Sequence, residues 1–74
     1  MARKKNRRGR ALTRRERECL ALASTGKTDL EIGKTLSLSE KTVSTYIQRA
    51  KIRYGVDTRI EAVVCALRNG EFAP

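Results

Sequence analysis

Three times in this chain a threonine is followed three residues later by a glutamate: Thr13-Arg14-Arg15-Glu16, Thr28-Asp29-Leu30-Glu31 and Thr58-Arg59-Ile60-Glu61. At this spacing the hydroxyl accepts from the backbone amide three residues on, and the carboxylate reaches back to the threonine's own amide. Two donors that a helix start leaves orphaned are thereby satisfied. Each triplet therefore marks a helix N-terminus. Ser39-Glu40-Lys41-Thr42 is a fourth candidate start, with Glu40 placed to suit the positive end of the helix dipole. Stops follow the starts. Gly26, Gly55 and Gly70 stand where a left-handed residue closes a helix, and only the second helix lacks a glycine stop. The punctuation predicts helices over 14–24, 29–36, 40–54 and 59–69. No period-2 alternation persists to suggest a strand, and the single proline is the last residue. The fold class is all-α with four helices.

With 74 residues, 39% of them hydrophobic, the chain has material for one modest core. A domain of this size buries only about 60% of its unfolded surface and depends on good caps or a partner. Helical spacing nominates Leu12, Cys19, Leu20 and Ala23 in the first helix and Leu30, Ile32 and Leu36 in the second. Leu38 plugs the turn, and Val43, Ile47, Ala50 and Tyr54 line one face of the third. Gly33 interrupts the second helix at a cost of up to about 1 kcal/mol relative to Ala. Close approach of the neighbouring helix accounts for it, as a two-helix unit with so short a turn requires.

Charge divides the chain. Residues 1–11 form a basic tail carrying Arg3, Lys4, Lys5, Arg7, Arg8 and Arg10, ahead of a folded domain over 12–74. The tail holds +6 of the formal +9 and no acid. It has too little apolar surface to build a core, is expected to be disordered when free, and suits phosphates or a DNA groove. A +9 balance implies a polyanionic partner, nucleic acid or an anionic membrane surface. No run approaches the roughly 20 apolar residues of a membrane span, and no apolar stretch of signal-peptide type follows the basic N-terminus. The expected location is cytoplasmic, at the bacterial nucleoid.

Two cysteines, Cys19 and Cys65, lie 46 positions apart with no histidine in the chain. That spacing and composition point away from a zinc site, and a reducing compartment disfavours a disulfide, so both read as small apolar residues. Without histidine there is no Ser-His or Cys-His pair, and no phosphate-cradling glycine loop is present. No enzymatic activity, metal, cofactor or small-molecule ligand is expected.

Residues 28–54 read as a helix, a short turn and a longer helix. The outer face of the longer helix presents Lys41, Ser44, Thr45, Gln48 and Lys51, with Arg49 and Arg53 further round, and no acid after Glu40. Cations, small hydroxyls and an amide are the groups that read base edges and phosphates in a major groove. Helix N-terminal residues enter that groove first. Ser44, Thr45 and Gln48 are the candidate base readers. Thr28, Lys41, Thr42, Tyr46 and Lys51 are the candidate phosphate contacts or their supports.

Here the sequence resembles the LuxR/FixJ-type helix-turn-helix domain, over residues 12–70. The resemblance rests on Leu12-Thr13, Glu16-Arg17-Glu18, Gly26, Glu31-Ile32, Leu36 and Ser39-Glu40. Thr42-Val43, Gly55-Val56, Arg59 and Ala62-Val63 complete it. The short architecture is similar to stand-alone GerE-like members. The resemblance implies a transcription regulator that binds double-stranded DNA, with the third helix in the major groove and the fourth forming a two-fold homodimer. In that family the residue after the Thr-Val pair and the one four further on commonly read bases and are often Lys or Arg. Here they are Ser44 and Gln48, and Tyr46 stands where His is usual. Gln suits adenine, so the preferred DNA sequence differs from that of Lys- or Arg-bearing members.

The fourth helix has six apolar residues in a row, Ala62 to Leu67. The resemblance assigns Ala62, Val63 and Ala66 to the domain's own core. Val64 and Leu67, with Arg68 beside them, then face outward as the dimer contact. RNA polymerase is a further candidate partner. Two other readings stay open. Arg49-Ala50 also fits the last DNA-binding region of sigma factors, although Gly55-Val56 and the capped fourth helix favour the LuxR type. An antagonist that forms inactive heterodimers with a larger LuxR-type regulator would need no DNA-reading face.

Overall fold

The computed structural model describes residues 11–73, so the tail cations Arg3, Lys4, Lys5, Arg7, Arg8 and Arg10 lie outside the described residues. Four helices follow one another, α1 (Arg14–Ala23), α2 (Asp29–Leu36), α3 (Glu40–Tyr54) and α4 (Arg59–Arg68), and no strand occurs among the described residues. The second and third match the expected bounds. The first and fourth end one residue earlier, because Ser24 and Asn69 serve as their C-caps.

All three Thr-x-x-Glu capping boxes form, with both hydrogen bonds in each. At Thr28 the Glu31 amide donates to the hydroxyl at 3.1 Å while the Thr28 amide donates to Glu31 Oε1 at 2.8 Å. The amide and hydroxyl bonds of Thr28 hold the Glu31 carboxyl below its ordinary range, and the equivalent bonds from Thr58 and Asp57 do the same for Glu61. Their contribution to stability is therefore complete above the usual carboxylate pKa and is lost as the pH falls below it. Ser39 caps α3 by accepting from the Thr42 amide at 3.0 Å.

The helix without a glycine stop ends on Ser37, which takes the left-handed conformation itself (φ 62°, ψ 43°). A serine there carries strain that glycine escapes. Gly33 has a different neighbour from the one expected. A Cβ at this position would run into the carbonyl oxygen of Leu38, so the turn's own backbone, and not a facing helix, occupies the space. The Leu38 amide also donates to the Gly33 carbonyl at 2.8 Å, folding the turn back onto α2.

α3 runs through the middle of the bundle and packs against each of the other helices. Leu12, Cys19, Leu20, Ile32, Val43, Ile47, Ala50, Tyr54, Ala62 and Ala66 are buried. Ala23, Leu36 and Leu38 are half-buried against them, as are Val63 and Cys65. Burial pushes the Cys19 thiol up, in keeping with a small apolar core residue. Leu30 corrects the expected core: it is 51% exposed. It lies two positions before Ile32, about 200° away around the helix, and so points off the face that Ile32 and Leu36 bury.

Three polar ties span the bundle. Arg53 Nε donates to Glu16 Oε1 at 2.7 Å, and Glu16 is only 1% exposed. Arg59 forks onto both carboxylate oxygens of Asp29 at 2.8 and 3.1 Å, joining the starts of α4 and α2. The Leu12 amide donates to Glu71 Oε2 at 2.9 Å, with Arg17 at 3.4 Å from the other oxygen, while Phe72 packs on the core. No helix among the described residues is long and apolar enough to cross a membrane.

Candidate nucleic-acid interface

The site is built on α3. Residues 43, 47, 50 and 54 recur at steps of four, three and four and turn inward. The same steps on the opposite side select Lys41, Thr45, Gln48 and Ile52, all exposed, with Ser44 and Arg49 exposed on either flank. The helix is thus held by one stripe and presents the other.

The hydrogen bonds sort the polar groups of that face. Thr45 donates its hydroxyl to the Lys41 carbonyl at 3.1 Å, which leaves its oxygen outward as an acceptor. Ser44 and Gln48 make no hydrogen bond with their side chains among the described residues, so their donors and acceptors are available. Thr42 is half-buried, and its hydroxyl accepts from Ser39 Oγ at 2.8 Å, within the cap of α3. Thr28 stands at the start of α2 with its amide and hydroxyl already engaged by Glu31.

Ion pairs engage five of the seven arginines among the described residues. Arg14 and Arg15 pair with Glu18, Arg17 with Glu71, Arg53 with Glu16 and Arg59 with Asp29. Lys41, Arg49 and Lys51 have no ion pair among the described residues. Glu40 is the only acid on α3. Arg53 corrects the expected outer face: it turns back to α1, because the buried Glu16 carboxylate needs a partner more than solvent offers one. Tyr46 is half-buried against the core, and the Arg49 guanidinium lies 5.9 Å from its ring centroid, within cation–π reach. Tyr46 therefore supports a cation in place on this face.

On α4, Val64 is 41% exposed and Leu67 half-buried, with Arg68 exposed beside them. The structure adds Ile60, 73% exposed, so that Ile60, Val64 and Leu67 make one apolar stripe at steps of four and three. Ile60 and Ile52 had no signal in the sequence beyond being apolar at positions opposite their helices' buried faces.

The family described as bacterial regulatory proteins of the luxR family matches residues 10–66. Spore germination protein GerE of Bacillus subtilis is 48% identical over 60 residues, which cover 81% of each chain. The quorum sensing-dependent transcriptional regulator VjbR of Brucella abortus is 49% identical over 59 residues, covering 80% of this chain and 23% of VjbR. The transcriptional activator LuxR of Aliivibrio fischeri is 37% identical over 59 residues, covering 80% and 24%. The chain thus spans about a quarter of the length of VjbR and LuxR and four-fifths of GerE. The match covers α2, the tight turn and α3 with its cationic outer face, and the chain belongs to the LuxR family of bacterial regulatory proteins.

Proposed function

We propose that the protein is a sequence-specific transcription regulator that lays α3 in the major groove of double-stranded DNA. The observation that carries this reading is the outer face of α3. Lys41, Arg49 and Lys51 are left without acidic partners among the described residues, while Arg14, Arg15, Arg17 and Arg59 on the other helices are paired and Arg68 alone of their arginines is not. Free cations beside available hydroxyl and amide groups suit phosphates and base edges together. Ser44, Thr45 and Gln48 read bases. Lys41, Lys51 and the start of α2 at Thr28 hold phosphates, and Thr42 and Tyr46 shape the surface that does so. The tail cations Arg3, Lys4, Lys5, Arg7, Arg8 and Arg10 add contacts independent of sequence.

Two such domains associate through Ile60, Val64 and Leu67, with Arg68 at the edge. An apolar stripe is self-complementary across a two-fold axis, as a charged one is not. Paired α3 helices then address half-sites about one DNA turn apart. A partner on RNA polymerase is compatible with the exposed α2 and α4 surfaces that remain.

Selection of bound sites from random DNA, followed by a salt titration on the selected duplex, tests the reading. A two-fold motif is expected, with log K falling linearly against log salt by roughly 0.9 per phosphate contact. Deleting residues 1–10 should flatten that slope and weaken all sequences alike. Binding that is blind to sequence would overturn the proposal.

A further inference from the structure

We propose that Ile52 reads the methyl group of a thymine, one turn beyond Gln48 in the same groove. This rests on the reading of α3 given above and adds a residue that makes no polar contact at all. Ile52 is 69% exposed and lies on the stripe of Lys41, Thr45 and Gln48, directly opposite the buried stripe. It is the one apolar side chain at the centre of a face otherwise made of cations, hydroxyls and an amide. Singly exposed apolar residues are ordinary. This one is set apart by its place on a surface whose neighbours suit DNA.

The identity of its contact follows from what a major groove contains. Purine edges and cytosine present only donors and acceptors there, and an aliphatic side chain set against them leaves those groups without partners. The C5-methyl of thymine is the single apolar feature of the groove floor. Four residues along a helix correspond to about 6 Å, and base pairs stack about 3.4 Å apart, so Ile52 reaches a thymine within about two base pairs of the pair that Gln48 reads.

The test uses the full chain and the duplex selected from random DNA, with each thymine replaced in turn by deoxyuridine, which lacks only the methyl group. Removing one buried methyl should weaken binding about fourfold at a single thymine near the Gln48 pair. Ile52→Ala should bind the parent duplex about that much more weakly and show no further loss with deoxyuridine at that position. Alanine suits an exposed helix position better than isoleucine does, so this variant keeps the fold. A selected site with no thymine within reach, thymine methyls that are all dispensable, or an Ile52→Ala protein that still loses affinity with deoxyuridine would each overturn the assignment while leaving DNA binding intact. Failure to select any site would overturn the reading of α3 and this proposal together.

Discussion

α3 and α4 are both held to the bundle by one buried stripe, yet their outer faces share almost nothing. α3 turns out lysine, arginine, serine, threonine and glutamine, with Ile52 alone apolar; α4 turns out Ile60, Val64 and Leu67 in line. The inward chemistry of a helix reports only that a core exists. The outward chemistry reports what the surface is for. Unpaired cations suit a polyanion, and an apolar stripe suits a second apolar surface, which is why the proposed function gives the two helices different partners.

The comparison is broken most forcefully by removing the one α3 cation that belongs to the inside. Arg53→Ala leaves the Glu16 carboxylate buried without its partner and should cost about 3 kcal/mol of stability, seen as a lowered Tm. An unchanged Tm would mean that Arg53 belongs with the outer face after all. Val64→Asp puts a charge into the proposed α4 contact. It should weaken binding to a paired site about a hundredfold, or about 2.7 kcal/mol, while Tm and binding to one half-site stay as in the parent. Equal affinity of parent and variant for the paired site would remove α4 as the dimer surface. Gln48→Ala should cost about 1–3 kcal/mol at a single base pair and relax the choice there, which repeating the site selection reads directly. An intact motif would show that α3 docks in another register. Lys51→Ala has the smallest expected effect: a uniform weakening across sequences and a salt slope shallower by about 0.9. A sequence-dependent effect would move Lys51 from the phosphates to the bases.

The helices were legible because their signals are local. Thr13, Thr28, Ser39 and Thr58 each bond an amide three residues on, so the caps need no knowledge of the rest of the chain. The resemblance was carried by residues in the same segments. What the sequence hid was mostly long-range. Glu16 reads as an N-cap partner and is also the buried anchor of Arg53, 37 positions away. Asp29 and Arg59 each read as first-turn residues, and nothing local says that they meet. Leu30 departs from the expected core for a different reason. It is apolar and close to Ile32, but on a helix two residues apart means opposite sides. Gly33 gave a true signal of close approach, and the turn's carbonyl, which no side-chain pattern encodes, supplied the neighbour.

The Leu12 amide bonded to Glu71 brings the two ends of the described chain to one corner of the bundle, so the fold is nearly a closed ring. Joining residue 73 back to residue 11 through a short linker and reopening the exposed turn at Thr25 and Gly26 would give a circular permutant that begins with the helix pair α2 and α3. Ends that lie together tolerate such reordering. The bundle is then a loop of four helices whose packing does not prescribe which helix comes first.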